Sequence, residues 1–389
     1  MKRVLIIEAQ IKQYRFVFYE QLKAALQRSD IDLQVGYSDP TPVEAAKRDN
    51  CNLPTDYGRK VKGYWFFGDK ILFQPLLSSA VSADLVVVEQ ANRFVLNHLL
   101  IMLSRIGLKR VAFWGLGENL QAGQLYVSEC YRRKTLNAVS WWFAYTKGTA
   151  RYLIRNGVPS WKITSVDNAV DTSSIRRHVD SILPRDKAAL RERLGITPIA
   201  PVGIFCGMLD KVKSVPFLLE SAKLIRNQIP DFHLLLVGGG PEKALVEKAV
   251  KDTPWIHYMG PQFGDKKTAL IALSDVFLIP GRVGLVVLDA FAGGLPLLST
   301  RLKIHGPEME YLEEGFNGLL SEPDVAAFAN MTVSLLRNRE ALERLQQGAR
   351  QSGSKYTIEN MVANFKKGIE CCLGLQSSSQ RSLLKDGIA

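Results

Sequence analysis

The sequence predicts an α/β protein of two domains, each a parallel β-sheet covered by helices. Its 389 residues exceed the roughly 250–300 at which a single hydrophobic core stops growing. Short β-branched runs alternate with longer amphipathic stretches, which is the pattern of strands and covering helices. The same alternation starts again after about residue 200.

In the first half, the predicted strands are short apolar runs bounded by polar residues. They cover residues 4–7, 33–37, 85–88, 111–114, 142–146 and 163–166. Helical periodicity lies between them, for example over 16–26 and 144–156, and Gly157 ends the latter.

The second half repeats this arrangement. The predicted strands cover 204–207, 233–237, 256–259, 276–279 and 297–299, and the predicted helices cover 214–226, 242–251, 266–274 and 285–293. A first domain over 1–170 and a second over 201–355 follow, with a cleft between them. Residues 171–200, rich in Pro, Arg and Asp, are expected to be a hinge with a short helix over 187–194. Residues 356–375 are expected to form a late helix, and 376–389 a polar, disordered tail.

The positive charge is concentrated in the first domain. Of a net charge of +12, residues 1–170 carry +9. This bias indicates an anionic partner, namely a phosphorylated substrate, acidic lipid headgroups or nucleic acid, although a merely basic surface has the same composition. Nucleic acid ranks last, because no recognised binding motif or aromatic platform is evident.

Composition also predicts where the chain works. No run reaches the ~20 apolar residues that span a bilayer, and the N-terminus lacks a signal-peptide core, so no membrane crossing is expected. Five dispersed cysteines form no even disulfide set, which favours a reducing cytoplasm. A location on the inner face of the plasma membrane, as a peripheral protein, is compatible with both observations.

A loop with two lysines follows the first strand of the second domain. The strand ends at Gly207, Lys211 and Lys213 follow, and a helix begins near Ser214. Open α/β sheets bind ligands at the carboxyl ends of their strands, and a lysine beside free helix N–H groups suits a phosphate. The alternative is a solvated loop lysine.

A glycine-rich turn follows the strand over 276–279. Gly281 and Gly284 allow the backbone to pass close to a ligand, and the helix opening at Leu285 directs N–H groups towards it. Asp289, one turn into this helix, is placed to accept hydrogen bonds from a ribose. Alternatively, it is an ordinary acid stabilised by the helix dipole.

An ordered series of motifs gives these two segments a context. Gly-Gly-Gly-Pro after Val237, the segment 256–260, Ser-Asp-Val-Phe-Leu-Ile-Pro over 274–280, Gly-Gly-Leu-Pro over 293–296 and Gly-Phe-Asn-Gly-Leu over 315–319 follow one another. In this order they resemble family 4 glycosyltransferases, which have the GT-B architecture. The loops after the first strand, after Trp114 and after Pro280 resemble a divergent branch associated with surface-polysaccharide assembly.

The resemblance implies two Rossmann-like domains facing each other across a cleft, with the late helix returning to the first domain. It implies a retaining transferase without a metal or other cofactor, which uses a UDP- or GDP-linked sugar as co-substrate. The second domain would hold this donor, and a glycan or lipid-linked acceptor would approach from the first domain.

Candidate site residues follow from the resemblance and from the loops. The catalytic candidates are Lys213, Asp289 and Glu118. The donor-binding candidates are Gly207, Lys211, Lys213, Gly281, Arg282, Gly284, Leu285, Asp289, His257 and Tyr258. The acceptor-side candidates are Tyr14, Arg15, Gly115 and Asn119, which are expected in loops at the cleft.

Several family positions are changed. Met208 stands where an arginine is common, Gly281 replaces the first of two acids, Leu116 replaces a histidine, and residues 10–15 lack a glycine pair. One preorganised charged donor is worth ~10²–10³ in rate. Two alternatives to an active transferase therefore remain: a nucleotide-sugar-binding partner or scaffold of another transferase, and a nucleotide-sugar epimerase.

Basic and apolar residues adjoin in the first domain. Arg132, Arg133 and Lys134 precede Trp141 and Trp142, and Lys109 and Arg110 follow an apolar segment. This arrangement suits an anionic membrane surface, at which a lipid-linked acceptor would be met. The alternative is a basic helix face followed by a buried aromatic strand.

Overall fold

The computed structural model describes residues 1–45, 49–118, 126–251 and 253–375. The chain divides into two compact units. Met1–Val170 and the chain from Ile358 form the first, and Asp171–Thr357 forms the second.

The first unit is built on a parallel sheet of seven strands in the order β3-β2-β1-β6-β7-β8-β9. These strands are β1 (Lys2–Ile7), β2 (Ile31–Tyr37), β3 (Gly58–Lys60), β6 (Leu85–Glu89), β7 (Arg110–Gly115), β8 (Trp141–Ala144) and β9 (Ile163–Ser165). Between β3 and β6, a separate antiparallel hairpin consists of β4 (Tyr64–Phe66) and β5 (Ile71–Phe73).

Helices cover this sheet on two faces. They are α1 (Gln13–Gln27), α2 (Pro42–Ala45), α3 (Leu77–Ser82), α4 (Val95–Arg105), α5 (Tyr126–Thr135), α6 (Lys147–Arg155) and α15 (Ile358–Leu373). Helix α15 contacts α1 as well as β6, β8 and β9, and Phe365 stacks on Phe143 with ring centres 4.1 Å apart. The last helix of the chain is thus part of the first unit's core. On the other side, residues of α3, α4 and α6, such as Ala80, Leu100 and Leu153, pack in one apolar cluster with the sheet.

The second unit contains a parallel sheet of six strands in the order β12-β11-β10-β13-β14-β15. These are β10 (Val202–Cys206), β11 (His233–Val237), β12 (Ile256–Gly260), β13 (Val276–Ile279), β14 (Leu297–Thr300) and β15 (Gly318–Ser321). Most of their side chains are buried, as expected for parallel strands covered on both faces. Its helices are α7 (Thr172–Ser181), α8 (Pro184–Arg193), α9 (Val215–Gln228), α10 (Lys243–Lys251), α11 (Gly264–Leu273), α12 (Val286–Ala292), α13 (Val325–Arg337) and α14 (Arg339–Lys355).

The strand order decides where a ligand can bind in this unit. β10 pairs with β11 on one side and with β13 on the other. Successive strands are therefore added to one side of β10 up to β12 and to its other side from β13 onwards. In open α/β sheets, the crevice at the carboxyl ends of strands lies at this switch point. The loops after β10 and β13 therefore form the candidate ligand site.

The structure corrects two expectations about local structure. Residues 171–200, expected as a hinge with one short helix over 187–194, contain two helices, α7 and α8, which pack on α11 within the second unit. The residues around Ala144 do not start a helix, because β8 continues to Ala144 and α6 begins at Lys147, capped by the Thr146 hydroxyl. Packing on α11 places residues 171–200 in the second unit, and the Thr146 cap sets the start of α6.

Within the described ranges, no helix combines the length and the apolar character of a membrane-spanning segment.

Candidate functional site

The loops after β10 and β13 are bonded to each other. The Arg282 amide donates to the Val212 carbonyl at 2.8 Å, and Lys213 Nζ donates to the Arg282 carbonyl at 2.5 Å. Gly281 is required for this approach, because a Cβ there would lie 2.3 Å from the Lys213 carbonyl carbon. The glycine predicted for a phosphate turn therefore joins the two loops.

Lys213 is the cation at the centre of this arrangement. Its side chain passes Gly207, with Cε 3.7 Å from the position that a Cβ of the glycine would take. Burial lowers the pKa of the Lys213 ammonium, Asp210 opposes this effect, and Arg282 lowers the pKa further. Because Asp210 accepts the Lys213 amide at 3.0 Å, the loop is held in a tight turn before α9.

The backbone of Gly284 faces open space, whereas that of Gly281 is in close contact with Lys213. A Cβ at Gly284 would meet no protein atom within 4 Å. Leu285 precedes α12 as its cap residue, so the predicted turn opens into a helix one residue later than expected. Space above a glycine backbone next to Lys213 and Arg282 can accept an anionic group.

The third loop of the site follows β11. Gly238 has a φ of +144°, and a Cβ there would lie 1.8 Å from the Gly207 carbonyl oxygen, so only glycine fits. The Tyr258 hydroxyl donates to the Gly238 carbonyl at 3.0 Å. Tyr258 therefore supports the loops at the carboxyl end of the sheet.

His257 lies elsewhere. Its Nε2 is 2.9 Å from Nδ1 of His233, the first residue of β11, and the two rings stack. Burial and the neighbouring His257 lower the pKa of His233 to about 4. The structure does not bring the His257 side chain to the loops of the candidate site, although it was predicted as a donor-binding residue.

Asp289 has a partner that the sequence analysis did not identify. Lys267 Nζ of α11 lies 3.0 Å from Asp289 Oδ2, and only 21% and 13% of the two side chains are exposed. Burial opposes the charge of Lys267, but the Asp289 carboxylate outweighs this effect and raises the pKa of the lysine. The Cys206 thiol has a pKa of about 12, because it is buried and faces the Asp289 carboxylate.

His305 links the loop after β13 to the end of β14 through two hydrogen bonds. Its Nδ1 accepts the Val283 amide at 3.0 Å, and its Nε2 lies 2.7 Å from the Thr300 carbonyl, to which it donates. Burial and the charges of Lys213 and Arg282 lower its pKa and outweigh the opposing effect of the Thr300 carbonyl. These bonds require the neutral imidazole. No sequence motif marks His305, since it lies 22 residues beyond Val283.

In the first unit, Tyr14 and Arg15 are helical. They lie in the first turn of α1, which begins at Gln13, so the predicted loop is shorter than expected. Tyr14 is 43% exposed, but Arg15 is buried, with its guanidinium 4.5 Å from the centre of the Trp114 ring. Arg15 Nη1 also donates to Met361 Sδ of α15 at 3.7 Å. Arg15 therefore packs inside the unit, contrary to the prediction of a loop residue.

The other acceptor-side candidates follow β7. Gly115 is the last residue of this strand, and Glu118 lies in the turn after Gly117, which has a φ of +74°. Asn119 lies outside the described residues.

Two glutamates missed by the sequence analysis lie at the same edge of the first sheet. Glu8 follows Ile7 of β1 and Glu89 follows Val88 of β6, and these two strand residues pair. The Tyr19 hydroxyl donates to Glu8 Oε1 at 2.7 Å. Burial and the Glu89 charge raise the pKa of Glu8 to about 7, although Tyr19 and Arg15 lower it. Each glutamate is a single acid at a strand end, so no motif distinguishes it in the sequence.

Trp141 and Trp142 do not reach a membrane. They are 5% and 0% exposed in β8, and their indole N–H groups donate to Thr164 and to the Leu136 carbonyl. The basic residues before them end α5, and Arg105 also lies near this end, donating to the Lys134 carbonyl. The buried aromatic strand is thus the correct alternative here.

Within the described ranges, no cluster of three or more His, Cys, Asp or Glu side chains is placed to hold a metal ion. Asp30 and Asp32 form an Asp-x-Asp sequence. Their carboxylates lie 3.3 Å from the N-terminal amine and 3.4 Å from Arg3 Nε, at the amino-terminal end of β2. They therefore lie at the opposite end of the first sheet from its candidate residues.

Comparisons with known proteins match the part of the chain that contains these loops. The family model "Glycosyl transferases group 1" matches residues 200–338, which include the loops after β10, β11 and β13. The crystal structure of Anabaena HepE in complex with UDP has a TM-score of 0.69 at 16% identity, covering 95% of this chain and 100% of that one. Fold and motifs together define a GT-B protein with two Rossmann-like units. The family match over 200–338 and the curated relatives support the resemblance to family 4 glycosyltransferases seen in the motifs.

Two curated relatives share part of the chain. N-acetyl-alpha-D-glucosaminyl L-malate synthase of Bacillus anthracis is 30% identical over 47% of this chain and 48% of its own length. Alpha-monoglucosyldiacylglycerol synthase of Acholeplasma laidlawii is 24% identical over 44% of each chain. The chain thus spans about half the length of the curated relatives it matches.

Proposed function

We propose that this protein is a retaining glycosyltransferase that moves a sugar from a nucleoside-diphosphate sugar to a glycan or lipid-linked acceptor in polysaccharide biosynthesis. The observation that carries this proposal is the bonded pair of loops at the switch point. There, Lys213 and Arg282 lie beside the open backbone of Gly284. A diphosphate is the part of the donor that this arrangement fits.

The residues act mainly on the leaving group. As the bond to the sugar breaks, negative charge develops on the nucleoside diphosphate, and a fixed cation stabilises that charge more than the ground state. Lys213 supplies this cation, supported by Lys211 and Arg282, and the amides that open α12 add N–H donors. The leaving phosphate takes the proton of the acceptor hydroxyl, which attacks from the same face.

Asp289 binds the donor through its remaining carboxylate oxygen, while Lys267 holds the other one. A ribose hydroxyl is the ligand that we assign to it. Asp289 also stays a catalytic candidate, with its carboxylate held in position by Lys267. Glu118 stays a catalytic candidate, together with Tyr14 and Gly115, on the acceptor side.

The donor is a UDP- or GDP-linked sugar, and no metal takes part. Support for a nucleotide donor comes from the UDP bound to HepE, and support for a lipid acceptor from the diacylglycerol named in the Acholeplasma relative. The match to the model for glycosyl transferases group 1 favours transfer over the scaffold and epimerase alternatives. We further propose a cytoplasmic location with peripheral contact to an anionic membrane surface, in keeping with the basic first unit.

The test is a transfer assay after a thermal-shift screen of nucleotide sugars has identified the donor. Lys213→Ala should lower the turnover rate ~10²–10³-fold, as for loss of one preorganised charged donor. Lys223→Ala, which removes an exposed lysine of α9, is the matched control and should leave the rate unchanged. If the folded Lys213→Ala variant turns over within a few-fold of the wild-type rate, the proposed role of Lys213 is contradicted. Addition of EDTA should not reduce turnover.

A further inference from the structure

The hairpin of β4 and β5 presents an aromatic face to solvent. Its cross-strand pairs are Tyr64 with Phe73, Trp65 with Leu72 and Phe66 with Ile71. Because side chains alternate along a strand, the first and third pairs share one face and the second pair the other. The first and third pairs, together with Phe67 of the turn, are called the aromatic face below.

The opposite face fastens the hairpin to the first unit. Leu72 is only 1% exposed, and its amide donates to the Arg93 carbonyl at 2.9 Å. The aromatic face has no such cover in the described part of the chain. Tyr64 is 43% exposed, Phe66 49% and Phe73 41%. Clustered exposed aromatic residues of this kind mark an interaction surface, whereas single exposed apolar residues are ordinary.

The turn of the hairpin adds a second observation. Phe67, Gly68 and Asp69 all have φ between +54° and +64°, and Phe67 is 77% exposed. A phenylalanine is unfavourable in the left-handed region, where glycine is preferred. Neither buried contacts nor backbone preference accounts for Phe67, so its benefit lies outside the folding of this chain.

Charge selects the partner. Arg59, Lys60, Lys62 and Lys70 flank the aromatic residues, and Asp69 is the one acid between residues 58 and 73. Lys62 Nζ lies 5.4 Å from the Tyr64 ring centre. A second copy of this chain would bring the same basic residues to the face and be repelled. An anionic bilayer offers both an apolar interior for the rings and negative headgroups for the lysines.

We infer that the aromatic face of the β4–β5 hairpin inserts into the headgroup region of an anionic lipid bilayer. This inference rests on the proposed function for its biological purpose, because a transferase that meets a lipid-linked acceptor must reach the bilayer. It moves the membrane contact from Trp141 and Trp142, which are buried, to residues 64–73.

The experiment is flotation of the purified full chain with vesicles of phosphatidylcholine, either alone or mixed with phosphatidylglycerol, at low salt. The wild type should float with the anionic vesicles and remain unbound with the neutral ones. Phe66→Ser/Phe67→Ser should weaken binding by about tenfold or more, because each substitution removes apolar surface that would be buried in the bilayer. Lys62→Glu/Lys70→Glu should weaken it by at least about fivefold for each lysine.

Two further variants guard against misfolding and unspecific effects. Phe67→Gly should keep or raise Tm, since glycine prefers this backbone conformation, yet should weaken vesicle binding. Phe263→Ser removes a phenylalanine that is 60% exposed in the second unit and should bind vesicles like the wild type.

Several results would overturn the inference. These are no binding of the wild type to anionic vesicles, unchanged binding of Phe66→Ser/Phe67→Ser, and an equal loss in Phe263→Ser. A wild-type dimer that the hairpin variant dissociates, without vesicle binding, would assign the face to a second copy instead. Nucleotide-sugar binding of the hairpin variants should stay at the wild-type level. Failure of transfer by a protein that binds vesicles would reject the proposed function and leave the hairpin's role intact.

Discussion

Lys267 of α11 and Asp289 of α12 form an ion pair with Nζ and Oδ2 3.0 Å apart, next to the last residue of β10, Cys206. The pair places a carboxylate beside the switch point of the second sheet and fixes its orientation. Asp289 alone was predicted as a site residue, and its partner lies 22 residues earlier in the sequence.

The first prediction separates the structural role of this pair from its role in binding. Lys267→Met leaves the largely buried Asp289 carboxylate without its cation, so the free energy of unfolding should fall by about 3 kcal/mol. The double variant Lys267→Met/Asp289→Leu should recover most of this loss, because no charge remains without a partner. Urea unfolding measures both.

Donor affinity supplies the control for that prediction. If Asp289 binds the ribose, the double variant should recover stability but not affinity, which calorimetric titration with the nucleotide sugar measures. Recovery of both would show that Asp289 has only a structural role.

The second prediction compares two glycines of one turn. Gly281→Ala places a Cβ 2.3 Å from the Lys213 backbone and should separate the two loops, lowering both Tm and nucleotide affinity. Gly284→Ala meets no protein atom within 4 Å, so its Tm should match the wild type. Its nucleotide affinity should nevertheless fall about tenfold, because the methyl group occupies space assigned to the phosphates. Equal affinities of Gly284→Ala and the wild type would place the diphosphate elsewhere.

The third prediction concerns the pH dependence of stability. The pKa of Glu8 is raised from the ordinary 4.5 to about 7 in the folded chain, so the folded state binds the extra proton. This stabilisation is complete below pH 4.5 and is lost as the pH rises through 7. Its loss amounts to about 3 kcal/mol, from 1.36 kcal/mol per pKa unit. Glu8→Gln, which stays neutral, should therefore be more stable than the wild type at pH 8 and similar to it at pH 4.5.

Thermal unfolding from pH 4.5 to 8 tests this prediction for Glu8. The exposed Glu192 of α8 provides a control, since Glu192→Gln should follow the wild-type curve. A wild-type curve parallel to that of Glu8→Gln would show that Glu8 does not hold the proton.

The fourth prediction concerns His305. His305→Ala leaves the Val283 amide without its acceptor, which should cost about 1–3 kcal/mol for a buried donor. Because Val283 lies between Arg282 and Gly284, nucleotide affinity should fall as well. His178→Ala removes a half-buried histidine of α7 and serves as the control. Unchanged affinity in His305→Ala would show that the β13 loop keeps its shape without the imidazole.

The lowered pKa of His305 also makes stability and nucleotide affinity depend on pH. Burial lowers its pKa below the ordinary 6.5, so the neutral ring contributes stability above that value. This contribution is lost as the pH falls below 6.5, when protonation of Nδ1 would break the bond from the Val283 amide. Nucleotide affinity of the wild type should accordingly decrease below pH 6.5, and that of His305→Ala should decrease less.

Local sequence patterns are enough to predict the α/β class, the two sheets and the segments that form the donor loops. Strands such as β10 and β13 are buried on both faces, so their composition is visible as short apolar runs, and Lys213 and Gly281 lie in local patterns with a physical meaning. Local patterns also carried the resemblance to family 4 glycosyltransferases.

Which side chains contact each other depends on the packing of the whole chain. Lys267 reaches Asp289, His305 reaches Val283, and Glu8 lies beside Glu89 because strand order and helix packing bring distant segments together. The same packing buries Arg15 against Trp114 and brings the His257 side chain into contact with His233. A one-dimensional pattern records which face a residue occupies, but the partner on that face depends on contacts that are separated along the chain.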